Sequence, residues 1–377
     1  MIYLDNAATT PVADEVLQAM MPYYSQVYGN PSSVHASGRQ AKGAIERARE
    51  QVASAINAKP NEIVFTSGGT EADNAAIIGT ALGYRDRGKH LITTKIEHHA
   101  VLHAFEYLEE IGYEVTYIAP ESDGIVRVEA IEQAMREDTI LISVMAVNNE
   151  TGAIQPIAEI GELAKRKSVL FHTDAVQAVG LLELDVERMS IDLLSISGHK
   201  LHGPKGVGAL FVRRGTHWKP TQHGGAQEFN RRAGTENLPG IVGLGVAIER
   251  AAGSREASWE HLQALRETML SALRAGVDQL VVNSAPDSVP SILNLTIPGV
   301  SAERLLMNLD MLGIMAASGS ACTSGSLLPS HVLMAMGLAE QSVRAAVRFS
   351  FSGQNTREEV AEAAQKVVQV VERLSRR

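Results

Sequence analysis

One thiol, one lysine and one aspartate stand where they could do chemistry together. Cys322 is the only cysteine of the chain and lies in Ser318-Gly-Ser-Ala-Cys-Thr-Ser-Gly-Ser. A segment of small polar residues and glycines buries too little apolar area to offset its ordering entropy, which predicts an exposed, mobile loop. A thiol on such an arm can reach, react and swing away, whereas a free cysteine elsewhere usually serves as a small core hydrophobe. Lys200, in Ser197-Gly-His-Lys, follows a strand-like run. Desolvation and neighbouring cations lower a lysine pKa and make the amine competent to form a Schiff base; a solvated loop lysine is the plain alternative. Asp174, in Asp174-Ala-Val-Gln, ends the apolar run Val169-Leu-Phe-His-Thr. A carboxylate there needs a cation or donors, and a protonated pyridine nitrogen would serve, as would a helix start that it caps.

Four further stretches fit around them. Ser67-Gly-Gly-Thr-Glu follows a strand-like run and opens a helical one, so its glycines and free N–H groups suit an anion such as phosphate; a strand-to-helix turn capped by Thr70 reads equally well. Glu97-His-His places a ring able to stack on an aromatic group and move protons, with His98 and His99 not separated by chemistry alone. Val147-Asn-Asn-Glu-Thr-Gly offers Asn148 and Asn149 as donors, or an Asx turn. Arg348, in Val347-Arg-Phe-Ser, sits between apolar neighbours and calls for a carboxylate or phosphate, or for a structural ion pair.

The elements that must position these residues alternate. Strands are predicted at 62–66, 90–94, 114–118, 140–147, 169–173, 193–197 and 208–212, with helices at 70–85, 100–111 and 158–167. Alternation implies parallel pairing with helices on the sheet faces and a site beyond the strand C-termini. After about residue 255 the pattern becomes α+β: a long helix at 259–275, a β-rich stretch at 291–297, a helix near 302–312, the cysteine loop, a strand near 344–351 and a final helix from 356. This predicts a large unit over 13–255 and a smaller one built from 1–12 and 256–377. The helix near 13–21 also suits the smaller unit.

The totals agree with an enzyme. The chain has 377 residues, 45% apolar and 20% charged, with net charge −9 and no Lys/Arg block, which argues against direct nucleic-acid binding. A single cysteine excludes an internal disulfide or a multi-cysteine metal site, and no segment reads as a signal or a membrane span. The expectation is a cytoplasmic protein without a metal and without a membrane partner.

The order of these motifs is that of a fold-type I pyridoxal-phosphate enzyme. Leu4-Asp-Asn-Ala-Ala-Thr-Thr-Pro, Gly29-Asn-Pro-Ser-Ser-Val-His, Thr66-Ser-Gly-Gly-Thr-Glu, Glu97-His, Val147-Asn-Asn-Glu, Asp174-Ala-Val-Gln, Ser197-Gly-His-Lys and Arg232-Ala-Gly-Thr-Glu-Asn resemble the class V aminotransferases. Gly319-Ser-Ala-Cys-Thr-Ser and Arg348-Phe-Ser narrow the resemblance to the NifS/IscS-type cysteine desulfurases with a long, single-cysteine loop (group I), and Arg231-Arg-Ala-Gly-Thr-Glu-Asn-Leu-Pro resembles the NifS-like branch. The resemblance runs from about residue 3 to residue 352. It implies a fold with a mostly parallel seven-stranded sheet and a smaller α+β domain. It also implies pyridoxal 5'-phosphate carried by Lys200, with Asp174 on the ring nitrogen and Gln177 on the ring hydroxyl. Gly69, Thr70, Ser197 and His199 would hold the phosphate, completed by Thr235 from the other protomer of a homodimer. His98 would stack on the ring, Asn149 would lie over the ring hydroxyl and substrate, Arg348 would bind the substrate carboxylate with Asn30 nearby, and Cys322 would be the nucleophile. The implied reaction converts L-cysteine to L-alanine and leaves a persulfide on Cys322. The sulfur then passes to an acceptor protein: an iron–sulfur scaffold, a tRNA-thiolation enzyme or a DNA-phosphorothioation enzyme. His98 is the expected proton-handling group. Selenocysteine lyases and aminotransferases share the scaffold, and a non-catalytic sulfur-relay protein is the rival of another class.

Overall fold

The computed structural model describes residues 1–318 and 329–375, so Cys322 lies outside the described residues. A seven-stranded sheet takes the order Ile63–Thr66, Gly208–Val212, Leu193–Ser197, Leu170–Asp174, Thr139–Ser143, His90–Thr94, Glu114–Ile118. Only Gly208–Val212 runs against its neighbours; every other pairing between adjacent strands is parallel. Because of this, Thr66, Thr94, Ser143, Asp174 and Ser197 end on one edge of the sheet, where α/β folds place their ligands. Apart from the part-exposed Leu170, the strands are buried along their whole length except Glu114–Ile118 at the rim, as expected of a sheet covered on both faces.

The strand expected over 140–147 stops at Ser143. Beyond it, Val144 and Ala146 still donate to the carbonyls of His172 and Asp174, but the chain then turns to present Asn148 and Asn149 at the sheet edge. The helix Ala36–Ala55 carries little hydrophobic periodicity in the sequence because its buried face is chiefly alanine, glycine and an arginine, with only Ile45 and Val52 as larger apolar residues. It packs on Leu238–Gly253, which in turn covers the short helix Asp14–Met20.

A second set of elements begins at Arg255–Gly276. Val281–Val282, Ile292–Thr296 and Ala346–Ser350 form an antiparallel sheet backed by Arg255–Gly276 and Arg357–Ser375. The N-terminal Ile2–Tyr3 pairs in parallel with Ile314–Met315, and Ile2 and Leu4 bury among these elements. No described helix is long and apolar enough to cross a membrane.

One strained turn has a clear anchor. Glu228, Phe229 and Asn230 all take left-handed backbone conformations, at φ of 46°, 59° and 63°, which non-glycine residues adopt only when their surroundings impose it. The buried Glu228 carboxylate imposes it here. It accepts two bonds of 2.8 Å from the Arg49 guanidinium and one of 2.8 Å from the Phe65 N–H. Arg49 also lies over the Phe65 and Phe229 rings. Glu228→Ala leaves the buried guanidinium with only the Ile63 carbonyl and the part-exposed Glu46 at 3.5 Å, so we expect a loss of about 3 kcal/mol, read as a lower urea midpoint with an unchanged slope.

Candidate active site

The site grows from the ends of the central strands. Lys200 closes a one-turn helix, Gly198–Lys200, directly after Leu193–Ser197. Its amine donates to the Ala7 carbonyl and, at 2.7 Å, to the Ala8 carbonyl. The N-terminal segment is thus wrapped round the lysine. Gln177 Nε2 donates to the same Ala7 carbonyl at 2.9 Å, Thr10 bonds the His199 carbonyl at 2.8 Å, and Thr9 Oγ1 is 3.1 Å from His199 Nδ1.

Asp174 ends the adjacent strand. It is buried, and its Oδ1 accepts from the Val176 N–H at 2.9 Å. Burial pushes its carboxyl up to about 6, against that backbone bond and the charge of Lys200, which pull it down. A cationic ring nitrogen would hold it ionised.

Across the sheet edge, a cleft is lined by Thr9, the Ser67–Glu71 stretch, Ser197, His199, Lys205 and Gly206. It faces the start of the helix Gly69–Gly83, whose first turn has no side-chain cap. Gly68 has φ of 154° with ψ near −177°, a region open in practice only to glycine, and a Cβ at Gly69 would fall 2.8 Å from Val176 Cγ2. Free N–H groups, a helix start and a glycine floor that brings the backbone itself to the cleft make a cradle for an anion of phosphate size. Ser197 is buried, Thr70 is exposed, and His199 is held neutral, down to about 4, by burial and by Lys200 and Lys205. The residues present therefore fit pyridoxal phosphate at both ends, an acid for the ring nitrogen and an uncapped helix for the phosphate.

His98 caps the helix His99–Glu110. Its Nδ1 accepts from the Ala100 N–H at 3.1 Å, so in the neutral ring the proton sits on Nε2. Burial first, then Lys200 and the neighbouring histidines, push it down to about 4. The proton-accepting role expected of His98 is therefore narrowed by the geometry: Nε2 already carries a proton, and Nδ1 is committed to the cap. It is a hydrogen-bond donor.

Arg348 is fully buried. Nη2 pairs with Asp5 at 2.9 Å, Nη1 donates to the Asn149 carbonyl at 2.9 Å, and Nε has no partner among the described residues. Arg348 also exchanges backbone bonds with Ala317, at 2.6 and 3.2 Å, at the N-terminal flank of the Cys322 segment. On the C-terminal flank, Ser330 donates to Glu150 at 2.5 Å and His331 Nε2 is 2.9 Å from the Glu97 carbonyl. Arg348 and the C-terminal flank of the cysteine segment are thus tied to the adjacent residues Asn149 and Glu150, and the N-terminal flank to Arg348 itself.

The structure brings together Lys200, Asp174, Gln177, Ser197, His199, His98, Gly69 and Thr70, and links Arg348 to Asn149. It does not bring Asn30 or Thr235 to them. Asn30 is exposed with its side-chain oxygen on the Ser32 N–H at 2.9 Å, and Thr235 is exposed with no side-chain bond to any of them. Sequence reasoning missed Asp5, Glu97 and Glu150 as site residues. All three stand in the motifs Leu4-Asp, Glu97-His and Val147-Asn-Asn-Glu, but the partners that bring them to the site are remote in sequence.

With this geometry in place, comparison with known proteins is decisive. A family model for class-V aminotransferases matches residues 2–362. The putative cysteine desulfurase IscS 1 of Bacillus subtilis (strain 168) is 52% identical over 99% of each chain. The chain belongs to the class-V aminotransferases, among the cysteine desulfurases. A solved NifS-like protein superposes with TM-score 0.93 at 37% identity, covering 98% of this chain and 99% of that one. A second solved structure, SspA in complex with cysteine, gives TM-score 0.84 at 39% identity over 94% of this chain and 100% of that one. The desulfurase reaction takes L-cysteine to L-alanine with transfer of the sulfur, and enzymes of this family work with pyridoxal phosphate.

Burial also gives this desulfurase a pH signature. Glu97 accepts from Thr94 Oγ1 at 2.8 Å and the Met145 N–H at 3.0 Å, yet burial and then Asp174's charge push it up to about 8 from 4.5. Between those values the native state holds a proton that the unfolded chain has released. Stability must therefore fall as pH rises through this window, with a slope on the order of 1 kcal/mol per pH unit. His98 and His199 act oppositely, costing stability as pH falls below 6.5. Glu97→Gln removes the first effect. The variant should gain on the wild type progressively from pH 5 to about 8 in urea titrations of the cofactor-free protein.

Proposed function

We propose that this desulfurase holds pyridoxal phosphate on Lys200 and makes its persulfide on Cys322. The observation that carries this reading is the Lys200 amine, gripped by the Ala7 and Ala8 carbonyls between the Asp174 carboxylate and an uncapped helix start. When bound, the cofactor supplies an electron sink for the pair left at the substrate α-carbon.

The chain's own residues supply the rest. Asp174 keeps the ring nitrogen protonated, and Gln177 with Asn149 addresses the ring hydroxyl. Gly69, Thr70, Ser197 and His199 receive the phosphate. Lys200, once neutral, is the base for the α-proton and returns protons to carbon. His98 covers the ring and donates from Nε2. Cys322, as a thiolate, attacks the substrate sulfur; the new S–S bond forms as the carbon–sulfur bond breaks. The sum is L-cysteine and a thiol giving L-alanine and a persulfide, in which carbon is reduced, sulfur is oxidised and no external oxidant is needed.

Thr235 is exposed, between Arg232 and Asn237, which bond the cleft residues Glu71 and Gly206; in a homodimer its hydroxyl would complete the partner's phosphate site. The division into 13–255 and 1–12 with 256–377 rests on the helix Leu238–Gly253 packing into the first apolar cluster, whereas Leu262 onward along Arg255–Gly276 enters the second, together with Ile2 and Leu4. The acidic charge favours a protein over a nucleic acid as sulfur acceptor, whether an iron–sulfur scaffold, a tRNA-thiolation enzyme or a DNA-phosphorothioation enzyme. A cytoplasmic setting suits a lone reactive thiol.

Arg348 would bind the substrate carboxylate by exchanging Asp5 for it, as the fork geometry of a guanidinium allows. Arg348→Lys keeps the charge and loses the fork. It should raise KM for L-cysteine about tenfold or more with the cofactor's visible band intact. An unchanged KM would remove Arg348 from the substrate site.

A further inference from the structure

A file of buried polar side chains runs beneath the site, and nothing in the reaction uses it. Ser143, His172 and Ser195 lie on three neighbouring strands, with Ser143 opposite His172 and Ser195 opposite Asp174. His172 and Asp174 are two residues apart, so they face the same side of the sheet. His172 Nδ1 is 2.8 Å from Ser143 Oγ, and Nε2 is 3.0 Å from Ser195 Oγ. From the helix Gly69–Gly83, Asp73 drops onto this file beside Ser195: its Oδ1 lies 3.7 Å from His172 Nε2 and has no hydrogen-bond partner among the described residues, as suits the carbonyl oxygen of a neutral acid better than half of a carboxylate. All four side chains are at most 1% exposed, and none lines the clefts around Lys200.

Burying four polar groups in a helix–sheet layer of alanine, isoleucine and leucine is costly unless their bonds close. Bonds along the file can run in either of two directions. If Asp73 is protonated, it donates to Ser195, Ser195 donates to His172 Nε2, and His172 Nδ1–H donates to Ser143. If Asp73 is ionised, every bond reverses and His172 carries its proton on Nε2. The groups facing Asp73 choose between these. Burial and the charge of Asp174 both disfavour a charge there, Glu97 is itself protonated, and His172 is neutral, pushed down to about 3 by burial. Asp174 has the Val176 N–H and the nearby Lys200 to support a charge, whereas Asp73 has one hydroxyl. Two ionised carboxylates do not coexist so close in a dry layer.

We propose that Asp73 is a positioning residue for Asp174: it keeps its proton, drives the one-way file through Ser195 and His172 to Ser143, and leaves Asp174 as the charged carboxylate beneath the ring. This rests on the reading of Asp174 as the partner of the ring nitrogen.

The His172 tautomer reads the claim in the cofactor-free protein. With ¹⁵N-histidine labelling, assigned by His172→Gln, we expect Nδ1–H in wild type and in Asp73→Asn, whose amide donates to Ser195 as the acid does. Nε2–H in wild type, switching to Nδ1–H in Asp73→Asn, would overturn the proposal. In the cofactor-loaded protein, the pH midpoint of the visible band should be unshifted in Asp73→Asn. Asp73→Ala should bind pyridoxal phosphate about tenfold more weakly, the scale of one buried partner lost. A midpoint moved by Asp73→Asn would also count against the claim, and this arm does not depend on Asp73→Ala folding. Asp174→Asn separates the two readings. Unchanged cofactor affinity there would sink Asp174's role while leaving the tautomer result to judge Asp73.

Discussion

Lys200→Ala should purify without the visible absorbance of bound cofactor and lose at least about 10²–10⁴ of its desulfurase rate, the range for removing a positioned proton-transfer group. The loss has two sources. The amine that anchors the cofactor is gone, and so is the base for the α-proton. A third, smaller effect is electrostatic: Lys200 is a charge that lowers Asp174, so without it Asp174 shifts further toward the neutral acid and holds a ring nitrogen less well. Lys200→Arg separates folding from chemistry. It restores a cation able to bond the Ala7 and Ala8 carbonyls but forms no Schiff base. It should be as stable as wild type and as inactive as Lys200→Ala. Substantial activity in either variant would remove Lys200 from the centre of the reaction.

Cys322→Ala should give the opposite pairing, a normal visible band with no sulfur transfer. The cofactor contacts proposed here all lie on residues other than 319–328, so the thiol can be removed without touching them. Proton exchange at the substrate α-carbon, followed in deuterated solvent, should persist because Lys200 is intact. L-Alanine formation should fall to background because no sulfur nucleophile follows. Persistence of both would mean that another group accepts the sulfur, and loss of both would mean that Cys322 supports cofactor or substrate binding instead.

The parts of the site that local residue patterns encode were legible in the sequence. Strands at 90–94, 114–118, 193–197 and 208–212 stand where their apolar runs place them, because each run is short and fully buried or bounded by turn residues. Lys200, Asp174 and the Ser67–Glu71 turn follow strand ends and could be placed by that alone. What stayed illegible depends on contacts between distant segments. Asp5 meets Arg348 across 343 positions, and Ala7 meets Lys200 across 193. Asp73 reads as one more polar residue in a helix until the strands beneath it are paired in register. The tautomer of His98 is likewise a property of its cap, invisible in the dipeptide His98-His99.

The most direct test is the mass of the protein itself after one round of reaction. Cofactor-loaded enzyme, mixed with L-cysteine without reductant and digested under non-reducing conditions, should yield the Cys322 peptide heavier by one sulfur atom, with one L-alanine formed per sulfur gained. L-Alanine released with Cys322 unmodified would contradict the account.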